Sequence, residues 1–396
     1  MAVLAGSYTV PFVGVSIFIA ALTYITYKLL SSYVHKWYQM KPIPELEGTY
    51  PFIGNALQFK TNAGDFFKQI VEYTTEYSNA PLLKFWMGTV PFLVLFHAET
   101  VEPVLTNPIH MEKAIIYSFL HPWLGTGLLT STGPKWRQRR KMLTPTFHFS
   151  ILTDFLEVMN EQTEILVEKL NKMAGKGPFN CFSHVTLCAL DIICETAMGK
   201  KIYAQSNSES EYVKSVYKMS DIISRRQRTP WFWPGFVYNC FGEGREHDKI
   251  LKILHSFTYN GHDTTAAAMN WVLHLLGSHP EAQSKVQQEL QEVFGTSDRP
   301  VNTEDLKKLR YLDSVIKEAL RLFPSVPFFA RNLGEDCHIS QRFALMEEKV
   351  VLASILRNFN VEACQTREEL RPVGELILRP EKGIWIKLEK RTPQTF

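Results

Sequence analysis

The stretch LKKLRYLDSVIKEALRLFPSVPFFAR, residues 306–331, decides how this chain is read. Its middle, YLDSVIKEALRLF (311–323), carries apolar side chains at helical spacing and stops at Pro324, which cannot continue a helix. Glu318 and Arg321 fall three apart on that helix, so their side chains can meet. Two readings of the pair stand. Val315, Ile316, Leu320 and Leu322 cover most sides of the helix and would bury the pair. A solvated surface pair is the commoner outcome of such spacing.

The helical pattern continues outward. DTTAAAMNWVLHLLG (263–277) is apolar nearly all round, as in a helix enclosed by a core. Pro280 starts the polar helix PEAQSKVQQELQEVF, and GREHDKILKILHSF (244–257) is amphipathic. Helical segments are expected over 150–175 and 181–203, and Pro134 and Pro145 bracket KWRQRRKML. Downstream, Gln341 to Phe359 places Phe343, Met346, Val350, Ala353 and Leu356 at helical spacing. Strand signals are few. LLKFWMGTVPFLVLFHA (82–98) reads as a hairpin around Gly88-Thr89, and ELILRPEKGIWIKLE (375–389) as a closing hairpin with a Pro-Glu-Lys-Gly turn. The expected fold class is mainly α with small β-sheets.

Composition bounds the function. The 396 residues are 45% apolar and 12% aromatic, enough for a sizeable core. Lys plus Arg is 43 against 40 Asp plus Glu, a near-balance that makes no case for a nucleic-acid partner. The cysteines Cys181, Cys188, Cys194, Cys240, Cys337 and Cys364 form no C-x-x-C pair and no zinc spacing. Residues 1–27 contain no charge and no histidine, and Val10–Leu30 is apolar or small throughout until Lys28. About 20 such residues cross a bilayer. No basic region precedes the run and Lys28, Lys36 and Lys41 follow it, so an uncleaved anchor with a cytosolic globular part is expected. Tyr24, Tyr27, Tyr33, Trp37 and Tyr38 can form an interfacial belt. The division expected is an anchor over 1–40, a proline-rich linker over 41–55 and one globular domain over 56–396.

Three constellations carry chemistry, each beside a plainer reading. Trp136 and Arg140, four apart, offer an indole N–H and a guanidinium to an anion, or simply stack as a cation–π pair. In GHDTTAAAMNW (261–271), Asp263 and Thr264 can relay protons to a bound oxygen species, or cap a helix starting at Ala266. RRQRTPWFWPGFVYN (225–239) interleaves arginines with aromatics, as in a membrane-dipping loop, a buried aromatic corner or a nucleic-acid stacking surface.

Together and in this order, these blocks resemble the membrane-bound cytochrome P450 superfamily, most closely its fatty-acid ω-hydroxylase branch, family four, V subfamily. HPWLGTGLLTSTGPKWRQRRKMLTPTFHFS (121–150) is similar to that branch's W-x-x-x-R helix, and GHDTTAAAMNWVLHLLGSHPEAQ to its oxygen-activating helix. Residues 306–331 resemble the E-x-x-R helix and following strand, QRFALMEEKVVLASILRNF the helix after the haem cysteine, and LILRPEKGIWIKLEKR the C-terminal hairpin. The resemblance implies a haem monooxygenase in the endoplasmic reticulum membrane, supplied with electrons from NADPH through a reductase and acting on fatty acids. It assigns Trp136 and Arg140, with Arg331, to the haem propionates. Asp263 and Thr264 go to dioxygen activation, and Glu318 and Arg321 brace the fold behind the haem.

Two departures cut across that expectation. The family enters the Gln341 helix through F-x-x-G-x-R-x-C-x-G, the loop that supplies the iron's thiolate, and no such motif occurs in this chain. The chain instead passes from ARNLGEDCHIS straight into Gln341, leaving Cys337 as a lone substitute ligand or an ordinary strand cysteine. LHSFT likewise runs directly into YNGHDTT, where the family has a loop and half of a long helix. Asn260 stands where this branch carries a glutamate able to ester-link haem. The breaks, near 258/259 and 340/341, separate well-matched blocks, as an alternative transcript or a misassembled gene would leave them. The P450-like fold is therefore expected to be incomplete and the chain catalytically impaired, binding haem poorly and serving at most as an anchored lipid- or partner-binding protein.

Overall fold

The computed structural model describes residues 2–80, 82–96, 101, 104, 112–144, 149–206, 211–256, 262–332 and 351–390. Both breaks and Cys337 lie outside the described residues. The architecture is mainly helical with small antiparallel sheets. Two compact units share the chain: Met1–Phe59 with Glu72–Pro103 and Arg228–Trp231, and Lys60–Val71 with Val104–Gln227 and Phe232–Phe396.

The first unit opens on helix α1 (Ala2–Met40). Its portion Val15–Met40 is long and apolar enough to cross a membrane, and none of that window is buried within the protein. Strands β1 (Leu82–Met87) and β2 (Val90–Leu95) form the expected hairpin, with Leu82 opposite Leu95 and Met87 opposite Val90. Gly88, at φ 63°, supplies the left-handed residue that a two-residue connection needs. The proline-rich stretch 41–55 runs along β1. The Leu46 N–H donates to Lys84 O at 2.9 Å, and the Lys84 N–H donates to Pro44 O at 2.8 Å. Asn55, fully buried, fastens the far end: its N–H donates to Trp86 O at 2.7 Å and its Oδ1 accepts from the Trp86 N–H at 2.9 Å.

The second unit carries helices α2 (Gly133–Leu143), α3 (Phe149–Met173), α4 (Phe182–Met198), α5 (Glu211–Arg228), α6 (Gly235–Phe241) and α7 (Gly244–Ser256). They are followed by α8 (His262–Ser278), α9 (Pro280–Phe294), α10 (Arg310–Leu322) and a helical segment over residues 351–358. The core is centred on α8, which packs on α4, α9 and α10 and on strand β6 (Phe359–Ala363). Ala266, Ala267, Met269, Trp271, Val272, Leu273 and Leu276 are all buried, which explains why this helix reads as apolar on every side. Trp271 stacks on Phe323 at 4.3 Å between ring centroids, and its indole N–H donates to Leu378 O at 3.0 Å. Glu289 on α9 receives the N–H groups of Tyr311 and Leu312 at 2.7 and 2.9 Å, satisfying the first turn of α10.

The small sheets differ from the sequence expectation at the C-terminal end. Residues 375–389 do not form one self-paired hairpin. Strand β8 (Leu378–Pro380) pairs with β7 (Pro372–Gly374), whereas β9 (Trp385–Lys390) pairs with β6 (Phe359–Ala363) and β4 (Phe179–Asn180). The helix expected to run through Phe359 stops at residue 358, because Phe359 begins the strand that receives β9. Gln283 fixes that strand: its Nε2 donates to Val361 O at 2.8 Å and its Oε1 accepts from the Val361 N–H at 2.9 Å. The remaining pair is β3 (Glu112–Lys113) with β5 (Arg331–Asn332).

Candidate functional site

Asp263 and Thr264 lie in the first described turn of α8. The helix has begun by His262, so neither residue is the cap of a helix starting at Ala266; both are helical themselves. Thr264 is half-buried and Thr265 is buried. The acid–alcohol order therefore lies within the described part of the core helix, in its first described turn.

Trp136 and Arg140 occupy successive turns of α2, both half-buried. The Arg140 guanidinium lies 5.6 Å from the Trp136 ring centroid, so the plainer reading of this pair is realised as a cation–π contact. Arg331 is half-buried on β5, with Lys113 opposite it and the Phe329 ring centroid 5.4 Å from its guanidinium.

Glu318 and Arg321 meet as the spacing requires. Arg321 Nε and Nη2 donate to the two Glu318 oxygens at 2.7 Å each, a bidentate fork. Hydrogen bonding to Arg321 holds the Glu318 carboxyl below its ordinary value. Of the two readings the solvated one is realised: the side chains are 55% and 67% exposed. Val326, Phe328 and Phe329, just beyond that helix, are also exposed. The structure thus brings together two of the expected pairs, each on its own helix.

The aromatic stretch 225–239 divides between its readings. Trp233 donates its indole N–H to Arg226 O at 3.1 Å, and the Arg226 guanidinium lies 3.9 Å from the Tyr238 ring centroid. Tyr238 is buried, and that burial pushes its hydroxyl up to about 12. These residues form a closed corner, whereas Phe236 and Phe241 on α6 remain 76% exposed.

A haem-thiolate site needs a deprotonated cysteine facing an open pocket. Cys181, Cys188, Cys194 and Cys364 do not fit that demand. Cys181 is fully buried, donates to Asn270 Oδ1 at 3.5 Å, and is pushed by burial up to about 12. Burial and then the Asp191 charge push Cys194 to about 12 as well. Cys188 is buried and donates to Gln162 O at 3.5 Å, and burial raises the Cys364 thiol. Cys240 is exposed at the end of α6. Among the described residues no group of three or more His, Cys, Asp or Glu side chains is set to hold a metal ion.

Sequence reasoning passed over two buried polar nodes. Asp191, isolated in the apolar run CALDIIC, accepts the N–H groups of Ala204 and Gln205 at 2.7 and 2.8 Å; burial raises its carboxyl. His274 is buried within α8 and held down at about 4, by burial first and by His279 second. A charge or imidazole inside an otherwise apolar helical run is the signal that marks both.

The cytochrome P450 family model matches this chain in two overlapping pieces, residues 44–260 and 241–343. Cytochrome P450 4V2 of Rattus norvegicus is 46% identical over an alignment of 486 residues that covers 92% of this chain and 93% of that relative. The Homo sapiens protein of the same name is 45% identical, with 94% of each chain covered. Cytochrome P450 4c3 of Drosophila melanogaster is 34% identical, covering 93% of this chain and 92% of its own. The 486-residue alignment with the rat protein is longer than the chain itself, at 396, so that relative carries internal residues this chain lacks.

Proposed function

We propose a function from one premise: the chain belongs to the cytochrome P450 family and, within it, to the V subfamily of family four. Members of this type are haem monooxygenases. The reaction of the lineage is then hydroxylation of a fatty acid near its ω end, with dioxygen and with electrons from NADPH passed through a reductase. The setting is the endoplasmic reticulum membrane, with α1 as a single-pass anchor, residues 41–55 as its linker and the globular part from residue 56 in the cytosol. Trp136 and Arg140 stand as the propionate-binding pair and Arg331 as a third donor. Asp263 and Thr264 are the acid–alcohol pair of the oxygen-activating helix, and Glu318 and Arg321 the brace behind the haem.

This particular chain is an impaired form of that enzyme, with segments lost near 258/259 and 340/341. The observation that carries the reading is the missing thiolate loop: no F-x-x-G-x-R-x-C-x-G occurs, and burial raises the thiols of Cys181, Cys194 and Cys364. Thiolate donation favours O–O cleavage, and no other side chain supplies it equally. Three further features support it. The family match divides within 241–260 and ends at 343, beside the two seams. The alignments with relatives run longer than the chain. The Glu318–Arg321 fork lies open to solvent, as a brace would once the segment it braces is gone.

The test is turnover. Purified full chain, reductase, NADPH and a medium-chain fatty acid are expected to give ω-hydroxylated product at background level, beside an intact relative as positive control. Sustained ω-hydroxylation by this chain overturns the proposal. A second, non-catalytic reading, an anchored protein that binds lipid, is favoured by a cleft at the end of α1; sustained turnover would exclude it too.

A further inference from the structure

The first unit contains a cleft that no part of the haem reading uses. It holds about 310 Å³ and is walled by Tyr33, Trp37 and Trp86 together with the loop of Glu45, Glu47 and Gly48. Tyr33 and Trp37 stand four residues apart, on one face of α1. The apolar run Val10–Leu30 supplies the about 20 residues that cross the hydrocarbon, so Tyr33 and Trp37 follow just beyond it, among Lys28, Lys36 and Lys41. The cleft therefore opens at the depth of the lipid headgroups, where aromatic side chains are favoured. Tyr50, Phe52 and Ile53 are exposed in the same unit, and the Phe52 ring lies 4.8 Å from that of Tyr33.

The walls are chemically selective. Tyr33 meets Trp86 edge-on at 5.4 Å, and the Trp37 indole is 42% exposed. Glu45 is neutralised by Lys84, whose Nζ lies 3.2 Å from it. Glu47 is exposed and makes no ion pair among the described residues. Aromatic faces beside one uncompensated carboxylate suit a cation that carries apolar substituents, the arrangement that recognises quaternary ammonium groups. Lys41, with Nζ 6.0 Å from the Trp37 ring centroid, offers a positive charge to a phosphate attached to that cation. Trp86 adds a buried indole N–H with no acceptor among the described residues.

The loop is also held in advance of any ligand. Thr49 Oγ1 donates to Leu46 O at 3.0 Å, Gln58 Nε2 donates to Glu47 O at 2.9 Å, and Asn55 ties the following turn to β1. A site fixed in this way loses little freedom on binding.

We propose that this cleft binds the choline headgroup of a phospholipid from the membrane that α1 crosses. The cation rests against Tyr33, Trp37 and Glu47, and the phosphate lies toward Lys41. The site is independent of haem.

The experiment uses the full chain in a choline-free maltoside detergent. Dihexanoylphosphocholine is titrated below its micelle concentration, with saturation transfer to the choline methyl protons as readout. Dihexanoylphosphoglycerol and dihexanoylphosphoethanolamine are run in parallel. Saturable phosphocholine binding is expected, at least about fivefold tighter than phosphoglycerol, with phosphoethanolamine between them. Trp37→Ala and Glu47→Gln are each expected to weaken it about fivefold while leaving the thermal midpoint unchanged, since both side chains are exposed. Equal binding of phosphoglycerol, or unchanged affinity in either variant at an unchanged midpoint, overturns the proposal.

Discussion

His274 sits inside α8 at 3% exposure, and burial holds its imidazole down at about 4. The unfolded chain binds that proton near 6.5. Between the two values the unfolded state carries more protons than the folded one, so stability is retained above the unfolded value and lost as the pH falls toward 4. The full effect is on the order of 3 kcal/mol. Urea midpoints of the intact chain are expected to fall between pH 7 and pH 4.5, and the fall is expected to be shallower in His274→Leu. Parallel slopes in the two proteins would remove His274 from the acid sensitivity. The surface fork behaves differently. Glu318→Ala is expected to leave the thermal midpoint within about 2 °C, because exposed ion pairs stabilise little. A larger drop in a melting curve would mean the pair is covered in solution. The contact itself was legible in the sequence, since three-residue spacing on a helix brings the side chains together. Its exposure was not, because exposure depends on which segments pack over it. The Trp136–Arg140 contact followed from four-residue spacing in the same way, while its use as an anion clamp rests on the family resemblance.

At the scale of elements, α8 shows what local pattern conveys. Its apolar character on all sides marked it as enclosed, and α4, α9, α10 and β6 do enclose it. The closeness of β6 rests on Gly277, where an added Cβ would stand 2.6 Å from the Ala363 nitrogen. Gly277→Ala gains helix propensity but must push that strand away, and the expected net cost is about 1–3 kcal/mol in the urea midpoint. An unchanged or raised midpoint would show that the strand yields freely. Gly54 is constrained from two directions: φ is 68°, and a Cβ would approach Trp86 O to 2.2 Å. The C-terminal strands were harder to read. The segments of β8 and β9 carry the strand signal, but β8 pairs with β7, just upstream of the stretch read as one hairpin, and β9 with the more distant β6. Phe359 fits a helical period as well as a strand, and only pairing with Lys390 decides between them. The aromatic run 225–239 was ambiguous for a related reason. Its composition serves burial and exposure equally, and Arg226 draws Trp233 and Tyr238 inward while Phe236 and Phe241 stay out.

The whole molecule joins the helical frame of its family to a sequence that lacks the family's thiolate motif. Long blocks around Trp136, Thr264 and Glu318 carry the family signature, and relatives from rat to fly align with more than nine-tenths of the chain. The fold class was readable because those blocks keep their helical periods and their order. The family's thiolate motif does not occur in the sequence, and the proposed loss of haem chemistry rests on that. What no local pattern conveyed is the cleft of the first unit, which needs α1, residues 45–48 and Trp86 brought together in space. The proposal is thus a chain that has kept the frame of a haem monooxygenase and lost the ligand that makes it one. The most direct measurement is the haem content of the full chain, expressed with ample haem supply, together with its reduced, carbon monoxide-bound spectrum. Haem far below one per chain and no thiolate-type Soret band are expected. One haem per chain with that band would contradict the proposal.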